Sequence, residues 1–361
     1  MKSTKGIVSL MGPTALAFLL VPCAWSTAGA AQASRTREAR EILEASGVRG
    51  GLVVHVGCGD GRLTAALRTN DRYVVQGLDT DEENVAKARE YLLSLGCYGN
   101  LSIRRFDGRR LPYAGNLVNL VVASAELQVS TEEIARVLAP GGVAFFLNRQ
   151  SAIENRKWVK PWPEEIDEWS HWRHGPDANP VAKDRVVGPP RHVQWVAAPR
   201  WQTHHDTTPS LNAMVSGGGR VIYTINEVSA GIRGLPGQWR LVGRDAFNGI
   251  LLWKRSVPQW GWEQWSHGQM AGRFNKPIHL SRRLVADDER VYVTLGFNAP
   301  VTALDAATGE TVRTYEKTKY TSEIVLKDGI LLLSVNQCLQ GPGQVAEKPA
   351  VRKRVMAVET K

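Results

Sequence analysis

LVVHVGCGDGRLTAAL, running from Leu52 to Leu67, decides how this chain is read. Leu52 to Val56 is apolar without alternation, the pattern of a strand buried on both faces of a sheet. Gly57, Gly59 and Gly61 follow in a G-x-G-x-G pattern, and Arg62 to Arg68 can start a helix. Glycine lets the backbone approach a ligand closely because no Cβ stands in the way. A strand, a glycine loop and a helix in this order place a binding site at the carboxyl end of the strand.

The pattern continues downstream. Ser34 to Ala45 carries Ala39, Ile42, Leu43 and Ala45 near helical spacing and reads as a leading helix. Val74 to Leu78 is a second strand ending at Asp79. Asp81 can cap a helix with Val85, Ala88, Leu92 and Leu95 on one face, stopped at Gly96. Leu101 to Phe106 is a third strand ending at Asp107, and Leu117 to Ala123 a fourth. Ser130 and Glu133 form a capping box ahead of Ile134, Val137 and Leu138. Pro140-Gly141-Gly142 turns the chain into a fifth strand, Val143 to Leu147. Alternating strands and helices predict an α/β fold with a parallel sheet.

Residues 34–150 resemble the class I S-adenosylmethionine-dependent methyltransferases. The resemblance rests on Val54-His55-Val56-Gly57-Cys58-Gly59-Asp60-Gly61, Gly77-Leu78-Asp79, Arg105-Phe106-Asp107 and Leu138-Ala139-Pro140-Gly141-Gly142. It implies S-adenosylmethionine as cofactor, bound by Gly57, Cys58, Gly59, Gly61, Asp79 and Asp107. The glycines would pass under the methionine part, Asp79 would hold the ribose, and Asp107 the adenine amine. A dinucleotide-binding domain is the competing reading, but it wants G-x-G-x-x-G, and here the third glycine comes one residue early. Three departures from the family stand out. His55 occupies the usual place of an acid, and so does Asn119, which cannot act as a general base. No strand pair is evident after Leu147, so the Rossmann-like methyltransferase sheet is expected to be shortened. No catalytic residue can be named.

Residues 1–30 read as a signal peptide, with Lys2 and Lys5, an apolar stretch from Ile7 to Val21, and a small-residue cleavage site at Ala28-Gly29-Ala30. The expectation is export to a bacterial periplasm or cell envelope, with no membrane span left after cleavage; an uncleaved anchor is the alternative. The net charge of +10 is spread, apart from a cluster at Arg104, Arg105, Arg109 and Arg110, so no nucleic-acid partner is expected. Cys23, Cys58, Cys97 and Cys338 form no C-x-x-C, disulfide framework or zinc pattern.

The style changes after residue 150. Of 12 tryptophans only Trp25 precedes Trp158. Residues 151–190 read as a linking segment, and 191–361 as short strands between turn signals. The strands are Val193 to Ala197, Val221 to Ile225, Arg240 to Arg244, Leu251 to Lys254, Val291 to Leu295, Val301 to Leu304, Val312 to Tyr315, Glu323 to Leu326 and Ile330 to Val335. LVGRDAFNGILLWKR from Leu241, VTALDAATGETVRTY from Val301 and VMAVETK from Val355 repeat around Asp245, Asp305 and Glu359. A strand, an acid, an Asn-Gly or Thr-Gly turn and a second strand make a hairpin. With a preceding apolar pair, that gives the four strands of a propeller blade.

ALDAATGE, Ala303 to Glu310, is similar to the repeat of PQQ-like β-propellers, and His171 to Trp201 to the segment leading into large bacterial examples. Two blades and part of a third fall short of closure, so the propeller is expected to be incomplete and the chain a piece of a longer one. The calcium and quinone ligands of a quinoprotein oxidoreductase find no place in two blades, so PQQ is not expected. His171, His174, His204, His205 and Asp206 lack the spacing of a metal site, and none is expected. Trp260, Trp262 and Trp265 are expected to pack between blades. Two functions remain open: a methyltransferase with an unknown acceptor, and a non-catalytic scaffold whose propeller binds protein or polysaccharide.

Overall fold

The computed structural model describes residues 25–124, 129–147, 156–186, 188–189, 193–200, 211–227, 238–258, 281–296, 298–336 and 353–360, with side chains from residue 32 onward. Among the described residues no helix is long and apolar enough to cross a membrane. Most of the expected signal peptide lies outside these residues. Its cleavage site falls within helix α1, Trp25–Ser46.

The first half is an α/β unit. Its strands are β1 (Gly51–Val56), β2 (Tyr73–Asp79), β3 (Leu101–Arg105), β4 (Val118–Ser124), β5 (Leu138–Leu147) and β6 (Arg156–Val159). The sheet order is β3-β2-β1-β4-β5-β6. Strands β1 to β5 are parallel, and β6 runs antiparallel to β5. The expected end of the sheet at Leu147 is therefore corrected. Phe146 pairs with Arg156 and Ala144 with Trp158, so one antiparallel strand extends the sheet beyond residue 150. All four residues of β6 are exposed, so burial leaves no hydrophobic pattern there for sequence to show.

Helices α1, α2 (Arg62–Leu67) and α3 (Glu82–Ser94) cover one face. Ile42, Leu67 and Leu92 meet Val53, Val75 and Val143 in one core. Helix α4 (Thr131–Val137) covers the other face, where Ile134 and Val137 meet Val54, Val121 and Ala144. Val53 and Val54 point to opposite faces and both are buried, which explains the apolar run that only His55 interrupts. Asp81 caps α3 through the amides of Glu83 and Asn84. Val85, Ala88 and Leu92 are buried as expected, but Leu95 follows the last turn and is exposed. The capping box of α4 is half formed. Ser130 accepts from the Glu133 amide, while the Glu133 carboxylate is taken by Arg136 and the Leu111 amide.

The second half is three antiparallel sheets. The first is β7 (Leu211–Gly217) to β10, with β8 (Arg220–Asn226), β9 (Trp239–Asp245) and β10 (Leu251–Ser256). The second is β11 (Leu284–Ala286), β12 (Arg290–Thr294), β13 (Val301–Asp305) and β14 (Thr311–Tyr315). The third is β15 (Thr321–Lys327), β16 (Ile330–Asn336) and β17 (Lys353–Glu359). Each is a meander of sequential neighbours, and the sheets do not close on themselves. Eight of the nine expected strands appear; β7 was not anticipated. Val193 to Ala197 is not a strand. Its Gln194 and Trp195 side chains instead bond to the carbonyls of Phe247 and Ala246 in the repeat turn.

That contact recurs. The Trp195 ring lies over Gly249 and Trp253 over Gly309, where no side chain would fit. The Trp253 indole donates to the Ala306 carbonyl at 2.8 Å, as Trp195 does to Ala246. Asp245 and Asp305 each accept two backbone amides of their turns through Oδ1. The aligned Asp245 and Asp305 are thus equivalent in structure as well as in sequence.

Residues 169–171 tie the three sheets together. The Ser216 amide of β7 donates to the Trp169 carbonyl, and the Ala286 amide of β11 to that of Ser170. The Leu326 amide of β15 donates to His171 Nε2 at 3.0 Å. His171 Nε2 must then be unprotonated, with the ring proton on Nδ1 facing Ser170 Oγ. Burial pushes the His171 ring down to about 4. Its folded value lies below its unfolded value, so the unfolded chain takes up the proton first as pH falls. Stability held above about pH 6.5 is lost as pH drops toward 4. Between pH 7 and 4.5 the unaltered chain should lose on the order of 2 kcal/mol more than His171→Gln in urea unfolding. Equal losses would show that His171 does not carry the effect.

Candidate functional site

The carboxyl edge of the α/β sheet is built by the ends of β1, β2 and β3. The chain order reverses between β1 and β4, which flank each other, and such a reversal opens a crevice for ligands. Gly57, Gly59 and Gly61 leave β1 with φ of 77°, 53° and 77°. A Cβ on Gly61 would strike Ala88 of α3, so that glycine seats the helix. A Cβ on Gly59 would meet nothing within 4 Å. Gly59 therefore faces open space at the carboxyl end of β1.

Asp79, at the end of β2, is buried, and its Oδ2 accepts from the Gly59 amide at 2.9 Å. Its Oδ1 accepts from the Asp81 amide at 3.0 Å, with Asn84 Nδ2 at 3.5 Å. A carboxylate has about four lone-pair sites, so the two short amide bonds orient Asp79 and, with the long Asn84 contact, leave about one site on Oδ2 for a hydroxyl donor. The Phe106 amide bonds the Asp79 carbonyl, bringing the loop after β3 alongside. Asp107 in that loop is fully exposed, and the amides of Arg109 and Arg110 hold its carboxyl below the usual range. Asp79 thus stands against the glycine loop, and Asp107 follows the next strand over on the same edge.

Cys58 differs from its neighbours in the loop. Its side chain turns into the core against Gly77, and burial, reinforced by Asp79, pushes the thiol up to about 12. Only its backbone faces the loop, where its carbonyl accepts the Gly61 amide. His55 is buried too, and its Nδ1 lies 2.8 Å from Thr64 Oγ1. It ties β1 to α2 behind the crevice.

Asn119 lies elsewhere. It sits at the start of β4, on the amino edge of the sheet, away from the glycine loop. Its Oδ1 accepts from the Leu52 amide at 2.7 Å and from Asn248 Nδ2 at 2.8 Å. Its Nδ2 donates to Asp245 Oδ2 at 2.6 Å. Arg49 meets Asp305 at 2.8 Å on the same edge. Both repeat aspartates thus use Oδ1 for their own turn and Oδ2 to hold the α/β unit. An acid at 119 would set a second carboxylate against Asp245, which is why the reading of this position as a missing base is corrected. A polar cleft of about 350 Å³ at this junction, between Arg49, Asn119, Arg220 and Asp245, lies on the edge opposite the glycine loop.

A second cavity, of about 480 Å³, opens beside the glycine loop. Val56, which precedes Gly57, lines it together with Ala123 and Ser124 at the end of β4. Sequence reasoning missed this cavity because β6 supplies one wall.

His171 and His174 serve structure: His174 Nε2 bonds Asp167 at 2.6 Å and its ring meets Trp169 edge-on. Among the described residues no group of three His, Cys, Asp or Glu could hold a metal. His204, His205, Asp206, Trp260, Trp262 and Trp265 lie outside the described residues.

Residues 53–142 match the family described as a methyltransferase domain. The chain therefore carries a class I, S-adenosylmethionine-dependent methyltransferase-like domain in its first half. It is 34% identical over 106 residues to a phosphatidylethanolamine N-methyltransferase of Cereibacter sphaeroides, a match covering 28% of this chain. The chain spans about half the length of that curated relative. Among solved structures it is similar to an S-adenosylmethionine-dependent methyltransferase of Aquifex aeolicus, at 22% identity and a TM-score of 0.28. That match covers 32% of this chain and 68% of the other. It is also similar to a geranyl diphosphate C-methyltransferase of Streptomyces coelicolor, at 16% identity and a TM-score of 0.29, covering 31% and 45%.

Proposed function

We propose that the α/β unit binds S-adenosylmethionine at Gly57, Gly59, Gly61, Asp79 and Asp107 and transfers its methyl group to a small-molecule acceptor. The observation that carries this is the bond from the Gly59 amide to the Asp79 carboxylate beside open space. It fixes the glycine loop and the acid as one preformed surface. The cofactor supplies a methyl group on a positively charged sulfonium. The chain's own part is to seat it and to orient an acceptor, and such positioning accounts for much of the rate in methyl transfer. Asp79 accepts from a ribose hydroxyl, Asp107 reaches an exocyclic amine, and Asp81 and Asn84 keep Asp79 in place.

A test is calorimetric titration of the whole chain with S-adenosylmethionine, against Asp79→Ala. Saturable binding weakened about tenfold or more by the substitution supports the reading. No heat at millimolar ligand would leave the alternative, a methyltransferase fold kept as a scaffold. The junction favours that alternative to one degree: it makes the amino edge of the sheet a structural platform for the repeats.

The three sheets are read as consecutive propeller-type repeats. Supporting this, adjacent sheets share cores: Val215 and Leu241 pack with Val291 and Leu304, and Tyr292 with Leu331 and Leu333. Residues 169–171 also bond β7, β11 and β15 in turn. Such repeats would give a docking face for protein or polysaccharide at the cell envelope.

A further inference from the structure

The cavity beside the glycine loop has a definite chemistry. Strand alternation sends Arg156 and Trp158 of β6 to one face and Lys157 to the other. Lys157 Nζ bonds the Ala45 carbonyl of α1, which fixes that face as the α1 side. Arg156 and Trp158 therefore face the α4 side, opposite Phe146 and Ala144 of β5. There they join Val56, Val129 and Ile134 around the cavity. Its walls are mainly apolar, broken by Ser124 and Thr131, and its volume lies in the range of small-molecule sites. Among the described residues no acidic residue lines it, whereas Arg156 and Lys157 of its outer strand both do; Lys157 commits its Nζ to the Ala45 carbonyl, which leaves the exposed Arg156 as the cation for a ligand.

We infer that this cavity takes an amphiphile with an apolar body and an anionic head group, the head held by Arg156 and the body lying along Phe146, Trp158 and Ile134. This rests on the methyltransferase reading and names the acceptor class for that site. The apolar walls oppose a fully polar acceptor, because burying unpaired polar groups against them costs free energy. A guanidinium presents a planar fork of donors that suits a carboxylate or phosphate. A lipid phosphate and a fatty carboxylate share this chemistry.

The test is calorimetry on the whole chain with decyl phosphate, decanoate, decyltrimethylammonium and inorganic phosphate. Decyl phosphate or decanoate should bind saturably, and whichever binds tighter names the source. Arg156→Ala should weaken that binding about tenfold, the loss of one charge-assisted hydrogen bond. Arg156→Glu should shift preference toward decyltrimethylammonium. Arg156 is exposed, so neither substitution threatens the fold. Three results would each overturn the inference: cation and anion binding equally, inorganic phosphate binding as tightly as decyl phosphate, or an unchanged affinity in Arg156→Ala. S-adenosylmethionine is titrated into the same samples. Cofactor binding without amphiphile binding refutes this inference alone, whereas absence of cofactor binding refutes the methyltransferase reading.

Discussion

Gly59→Asn should leave the protein folded and block the proposed cofactor site. Asparagine tolerates positive φ better than most residues, and Gly59 has φ 53°. A Cβ there meets no neighbour within 4 Å, so the new side chain adds no internal clash. The melting temperature should stay within about 2 °C of the unaltered chain. Affinity for S-adenosylmethionine should fall by up to about a hundredfold, because the side chain would occupy the open space at the carboxyl end of β1. Gly61→Asn makes the contrast: its Cβ strikes Ala88, so it should destabilise the protein. If Gly59→Asn binds cofactor as well as the unaltered chain does, the crevice is not the site.

Asn119→Leu should cost about 3 kcal/mol of stability, although it touches neither the glycine loop nor either site acid. It removes the acceptor of the Leu52 amide and of Asn248, and the donor to Asp245. Burial already raises the Asp245 carboxyl, and the hydrogen bond from Asn119 opposes that shift. Without that donor a buried carboxylate loses a partner, which is costlier than losing a surface ion pair. Urea unfolding of the whole chain measures the loss. Two transitions in the variant would show the α/β unit and the repeats coming apart. A loss under about 0.5 kcal/mol would show that the junction is not held here.

Much of the fold was legible because its signals are local. The runs Leu52 to Val56 and Leu117 to Ala123 bury valines and leucines on both faces, so hydrophobicity marks them despite His55 and Asn119. Asp81 and Ser130 announce their helices because capping is a contact within three residues. The repeat aspartates announce their turns for the same reason. Strand β6 was not legible, because an edge strand exposed along its length needs no periodic pattern. Val193 to Ala197 misled because Trp195 earns its burial from the Gly249 turn, a contact across more than fifty residues, and not from a ladder.

The chain's order of glycines and acids, Gly57, Gly59, Gly61, Asp79 and Asp107, pointed by itself to the edge of the sheet proposed for binding. Each acid follows a strand whose register in a parallel sheet is set by its own apolar run. Only the tertiary structure decided what Asn119 does, since its partners Asp245 and Asn248 lie far along the chain. It likewise decided the wall of the second cavity, because β6 reaches Phe146 by antiparallel pairing. Hydrogen bonds between distant segments leave no trace in local composition; they exist only once packing has brought their partners together.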